Sequence, residues 1–367
     1  MAPPLLQAQT MLSDRDGKAT GALRDLGLQG STPTAVLLNA NARQVTDRVR
    51  RTLASLVPAD DLYFSRSPDD AARIAEAVVA RRYGTVFTGG GDGTFVSWVN
   101  AILDRAERRR APAPRFGLLP LGTGNAVAEV VGTRPDAQLR HLRAFLAGEA
   151  PATRRLDLLV CQGRRTPFAG MGLDAAVLND YNWLKGKLKG GALGSLGTGI
   201  PGYGLAIALR SAPRFLLERR PTYCEIVNTG RAAWRLDARG NPVGQPIAPG
   251  ELLHAGPCLM AAASTVPFYG FGVKAFPFAA SRAGMMQVRV AGSIPLATLL
   301  ANVGRIWSGQ FSHPGLLDFH AERIHVSFER PMPLQLGGDA EGWRDEIGLG
   351  MARPVELVDF QPAALPN

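Results

Sequence analysis

Two hydrophobic periods alternate along the first part of the chain. Short apolar runs at residues 35–38 (ending at Asn39), 62–64, 85–88 and 116–119 read as buried strands. Between them apolar positions recur at helical spacing, predicting helices over 45–56, from Ser67 to about residue 82, and from about Thr94. Ser67-Pro68-Asp69-Asp70 is a strong helix start: a serine cap, proline at the first helical position, acids in the first turn. Strand and helix in turn imply a doubly wound parallel sheet with helices on its faces. After about residue 150 the pattern changes. Short β-like runs at 156–160, 222–227, 286–290 and 323–328, with one helical interruption near 296–306, predict a mostly antiparallel second domain. Residues 1–33 are weakly patterned and read as an extension.

The 367 residues suffice for two domains, and the 42 glycines and 27 prolines favour many turns over a helical bundle. The formal charge of +10 favours anionic partners, whether nucleotide, membrane or nucleic acid. No helix-turn-helix, zinc or RNP pattern accompanies it and aromatics are only 7%, so nucleic acid is not expected. Cys161, Cys224 and Cys258 are odd in number and far apart, which argues against a disulfide framework and for a reducing cytoplasm. The first residues do not read as a signal peptide. The uncharged stretch 190–209 holds seven glycines and Pro201, a poor membrane-spanning helix.

Two glycine clusters carry the candidate chemistry. Thr88-Gly89-Gly90-Gly91-Asp92-Gly93-Thr94 lies where a strand meets a helix, and so does Pro120-Leu121-Gly122-Thr123-Gly124-Asn125. Glycine admits close backbone approach and positive φ, and a helix start offers unpaired N–H groups, so such a turn can cradle phosphate. Asp92 would repel phosphate unless a cation, most simply Mg²⁺, lay between them. In a doubly wound sheet both turns fall at the carboxyl edge, where ligands collect.

Gly89–Phe95 and Leu119–Ala128 together resemble the diacylglycerol kinase catalytic-domain family, which includes sphingosine and ceramide kinases; NAD kinases and phosphofructokinases share a related first turn. The resemblance implies an ATP-binding α/β domain over 34–150, a β-sandwich lipid domain over 151–348 and a strand or tail over 349–367 returning to the first domain, with the active site in the cleft. It assigns nucleotide binding to Asn39, Gly90, Gly91, Asp92, Gly93, Thr94, Gly122, Thr123, Gly124 and Asn125. Glu341, in Asp339-Ala340-Glu341, stands where the family places its catalytic base, with Asp92 beside it. Asp92, Asp157 and Asp339 are the implied metal ligands, and Asp174 opens the lipid domain. Three positions depart from the family pattern: Ala40 after Asn39, Ala126 after Asn125, and Ala340 within the acidic turn.

The expected activity is ATP- and Mg²⁺-dependent phosphorylation of a lipid hydroxyl, of diacylglycerol, a sphingoid base or ceramide. The setting is cytoplasmic, with peripheral association at the inner membrane face, where Lys185, Lys187 and Lys189 would suit an anionic surface. A kinase of a soluble substrate such as NAD and a non-catalytic protein on a degenerate scaffold are the alternatives. No stable protein partner is inferred, and a homodimer stays open.

Overall fold

The computed structural model describes residues 33–42, 44–122, 125–134, 136–149, 151–188, 222–269 and 272–361. Residues Thr34–Asn367 form one compact unit. Readings placed on residues 1–32, on Thr123 and Gly124, and on 189–221 lie outside the described residues.

The first sheet is built from β1 (Thr34–Asn39), β2 (Leu62–Ser65), β3 (Thr85–Gly90), β4 (Arg115–Pro120) and β5 (Ala152–Leu156). The crossover helices are α1 (Asp47–Leu56), α2 (Pro68–Ala80) and α3 (Asp92–Arg109), followed by α4 (Ala126–Val130) and α5 (Gln138–Leu146). Ser67 caps α2 as its sequence demands, its hydroxyl accepting from the Asp70 N–H at 3.1 Å. Strands β1 to β4 pair in parallel. Alternate residues of β1 serve opposite faces: Ala35 and Leu37 pack with α2 and α3, Val36 and Leu38 with Leu53 of α1 and Leu142 of α5. That period of two, with helices on both faces, is the doubly wound arrangement.

The second sheet has twelve strands, and every pairing within it is antiparallel. It comprises β6 (Leu159–Cys161), β7 (Arg164–Thr166), β8 (Phe168–Gly172), β9 (Thr222–Asn228), β10 (Ala233–Leu236), β11 (Pro242–Ile247) and β12 (Leu252–Cys258). It continues with β13 (Met260–Ser264), β14 (Met286–Ala291), β15 (Leu316–Ala321), β16 (Arg323–Leu336) and β17 (Asp339–Met351). Its inner faces close over one core, with Met171, Cys224, Val288, Phe319, Val326 and Leu349 in a single cluster. Helix α6 (Leu173–Leu188) leaves β8, while α7 (Leu296–Ala301) and α8 (Val303–Trp307) interrupt the strands. The last described strand, β18 (Val355–Asp359), is inserted between β4 and β5, parallel to the former and antiparallel to the latter.

Three boundaries differ from the sequence expectation. The apolar run 156–160 is not one strand: Leu156 closes β5 in the first sheet and Leu159 opens β6 in the second. The change of sheet falls at Asp157-Leu158, beyond the residue-150 boundary. Helix α3 begins at Asp92 rather than Thr94, and the helical interruption breaks at Asn302 into α7 and α8.

Beta strand β7 is bound to α3. Arg165 donates from Nη1 to Asp104 and from Nη2 to Glu107, both at 2.6 Å, and exchanges two backbone bonds of 2.8 Å with the Asn100 side chain. Phe168 of β8 and Val266, just after β13, share the core of Phe95, Val99 and Phe116. These contacts fasten the second sheet along α3.

Candidate active site

The strand β3 runs through Gly90 and α3 starts at Asp92, so only Gly91 lies between them. Gly91 caps the helix with φ −98° and no side-chain acceptor. The first helical bond is Phe95 N–H to Gly91 C=O at 3.0 Å, which leaves the amides of Asp92, Gly93 and Thr94 outside the helical ladder. None of these glycines has positive φ, contrary to the expectation from the cluster. They are small because the site is crowded.

That crowding is sharpest at Gly122. A Cβ there would lie 3.0 Å from the carbonyl carbon of Gly90 and nearer still to Cα and N of Gly91. The two glycine turns are thus in backbone contact. Leu121 N–H donates to Gly90 C=O at 3.1 Å. The Gly122 carbonyl accepts from Gln44 Nε2 at 3.3 Å and from Asn125 Nδ2 at 3.1 Å. Asn39, at the end of β1, donates from Nδ2 to the Thr94 hydroxyl at 3.2 Å.

Asp92 bridges the turns. Its Oδ2 accepts from the Ala126 N–H at 2.8 Å and its Oδ1 from the Val127 N–H at 3.0 Å. Burial pushes this carboxyl up, and the two amide bonds oppose the shift. Burial also raises Glu129 on α4, with the Asp92 charge adding to it. Ala126 is wholly buried.

The second sheet contributes the β16–β17 hairpin. Its turn is Gly337-Gly338, with φ of +60° and +91°, a two-residue geometry only glycine adopts readily. A Cβ on Gly93 would be 3.4 Å from Asp339 Oδ2, so this carboxylate stands over the start of α3. Burial raises the Asp339 carboxyl; Arg164 opposes that and the Glu341 charge adds to it. Glu341 is ion-paired with Arg164 of β7. Its expected role as a base therefore needs that guanidinium to move, because the ion pair occupies the carboxylate.

The implied metal set is not assembled. Asp157 accepts from Arg155 Nε at 3.0 Å and from the Gly284 N–H at 2.9 Å, so it fastens the sheet crossing. Asp92 is engaged by backbone. Among the described residues no three His, Cys, Asp or Glu side chains converge as metal ligands. Mg²⁺ is commonly held by one or two carboxylates, water and substrate phosphates, and here Asp339 and Glu341 fit that smaller part.

Asp174, in the first turn of α6, is tied to the same hairpin. Its Oδ2 accepts from Tyr269 Oη and Gln335 Nε2, both at 3.1 Å, and Gln335 Oε1 accepts from the Gly338 N–H at 3.0 Å. Burial raises the Asp174 carboxyl, opposed first by Gln335, and its Oδ1 is buried without a hydrogen-bond partner. Gln44, Arg164, Tyr269 and Gln335 were not anticipated. Only Gln335 carried a signal, as a polar residue within the apolar run Pro333-Leu334-Gln335-Leu336.

Residues 33–158 match the diacylglycerol kinase catalytic domain as a family. Lipid kinase YegS of Escherichia coli K12 is 45% identical over 85 residues, 23% of this chain and 26% of that protein. The eye-specific diacylglycerol kinase of Drosophila melanogaster is 54% identical over 43 residues, 12% of this chain and 3% of that one. Among the first curated relatives, the matched part spans about a quarter of their length, 26% for YegS. A crystal structure of a diacylglycerol kinase from Bacillus anthracis str. Sterne superposes with a TM-score of 0.58 over 91% of this chain and 99% of that one, at 14% identity. This second likeness is one of fold, and it spans both sheets. The glycine turns in contact thus lie within the segment, residues 33–158, that matches the diacylglycerol kinase catalytic domain.

Proposed function

We propose that the protein is a lipid kinase, transferring the γ-phosphoryl group of ATP to a hydroxyl of a lipid such as diacylglycerol, a sphingoid base or ceramide. The observation that carries this reading is the backbone contact of Gly122 with Gly91, which joins both turns beside the first amides of α3, which lie outside its helical ladder, and beneath Asp339. Those amides and the helix dipole bind the phosphates. Asn39 and Gln44 keep the turns in place.

In the transfer, the lipid oxygen bonds to the γ-phosphorus, the bond to the ADP oxygen breaks, and Glu341 accepts the hydroxyl proton. Arg164 leaves Glu341 for the incoming phosphate charge, which frees the base and neutralises the transferring group. Mg²⁺, arriving with the nucleotide, would be held by Asp339 with Glu341 beside it, and would offset phosphate charge. No described helix is long and apolar enough to cross a membrane. A lipid substrate would be met at a membrane surface, by peripheral association.

The test is phosphate transfer from radiolabelled ATP to parallel panels of lipids and soluble acceptors, with products identified by mass spectrometry. Label in a lipid alone is expected. Transfer only to NAD or a sugar phosphate would move the protein to the soluble-substrate class, and nucleotide binding without transfer would make it a non-catalytic scaffold.

A further inference from the structure

The segment α7–α8 has two apolar sides. Leu299 and Ile306 face inward and pack against Ile294 and Phe311. Leu300, Val303 and Trp307 face outward, 53%, 51% and 36% exposed. They form an exposed apolar stripe along one short segment, on either side of the break at Asn302. Single exposed apolar side chains are ordinary, but three large ones so close together mark a contact surface.

The surroundings select the contact. From Leu252 to Leu317 the sequence contains no Asp or Glu, while it carries Lys274 and Arg305; Arg289 in the same span is buried against Asp318. Arg305 is exposed in the last turn of α8, and the Lys274 backbone N–H donates to the Trp307 carbonyl at 2.9 Å. An apolar stripe with a tryptophan, flanked by bases and free of acids, matches the acyl boundary and anionic headgroups of a bilayer. A second copy of this chain would bring the same positive charge against itself.

The stripe also adjoins the site. Met260 packs against both the Ile294–Phe311 cluster, which Leu299 and Ile306 also cover, and the Phe276 cluster, which Tyr269 also covers, and Tyr269 is bonded to Asp174.

We infer that Leu300, Val303 and Trp307, with Lys274 and Arg305 beside them, form the surface by which this protein docks on an anionic membrane. The inference rests on the lipid-kinase reading and names the face it uses. It is tested on the full chain by flotation with phosphatidylcholine vesicles, with and without phosphatidylglycerol, and without nucleotide. Binding is thus read separately from phosphate transfer: a chain that docks and transfers nothing keeps the surface and loses the kinase reading.

The double variant Leu300→Ser with Val303→Ser should lower partitioning at least about 10-fold on both vesicle types, with an unchanged melting temperature. Lys274→Ala and Arg305→Ala should each lower it about fivefold, only where phosphatidylglycerol is present. Wild-type partitioning in both sets of variants overturns the inference, as does wild-type protein that does not float. A wild-type dimer made monomeric by the double variant, with unchanged flotation, assigns the stripe to a second copy instead.

Discussion

Gly122→Ala tests the contact between the glycine turns directly. The added methyl would sit 3.0 Å from the Gly90 carbonyl carbon and nearer to Gly91 Cα and N. All three are backbone atoms, so no rotamer change relieves the overlap. Carbon–carbon contact settles at about 3.5–4.0 Å, so the turns must part by more than about 0.5 Å. Overpacking of this kind costs about 1–3 kcal/mol. The larger effect is on chemistry, since displacing a positioned group by about 1 Å can cost about 100-fold in rate. The expected result is a fall of about 10- to 100-fold in kcat/KM for ATP with a melting temperature lowered by a few degrees. Gly348→Ala is the control, because nothing lies within 4 Å of a Cβ there. Calorimetric titration with ATP, steady-state kinetics and thermal melts read the outcome. A Gly122→Ala protein with wild-type affinity, turnover and melting would mean that the turns do not touch.

Three further outcomes are expected. Asp92→Ala leaves the Ala126 and Val127 amides without their acceptor, at about 1–3 kcal/mol each, and Asp92→Asn, which keeps one acceptor oxygen, should cost less; equal urea midpoints for the two variants would contradict the bridging role. Glu341→Gln should lower turnover at least about 100-fold while leaving ATP affinity near wild type, and near-normal turnover would remove Glu341 as the base. Burial holds the His320 imidazole below its ordinary value of 6.5, so the fold keeps it neutral while the unfolded chain protonates first. Stability from this group is full above 6.5 and is lost as pH falls through and below it. His254 is shifted in the same direction, again by burial. The urea midpoint should therefore fall from about pH 7 to about pH 5, less steeply in His320→Gln, and an unchanged slope in that variant would refute the assignment.

Much of the first sheet was legible because its signals are local. The period-two apolar runs, the Ser67-Pro68 cap and the strand–glycine–helix junctions each depend on a few neighbouring residues. The run 156–160 was misread because periodicity records burial and not which sheet supplies it. Leu156 and Leu159 are both buried, in different cores. The carboxylates misled for a related reason. An acid in a motif shows its chemistry but not its partners, and Asp157 spends its charge on Arg155 and the Gly284 amide, 127 residues away.

By itself the sequence determined the alternation of strands and helices, the two glycine turns and the acidic turn after Gly337-Gly338, since each is encoded within a short span. Only the tertiary structure decided that Gly122 abuts Gly91, that Asp92 caps α4, that Glu341 meets Arg164 across 177 residues, and that β18 closes the gap between β4 and β5. These are long-range contacts. They follow from how two sheets bury their apolar faces together, and no local pattern of residues records which distant backbone or charge will be waiting there.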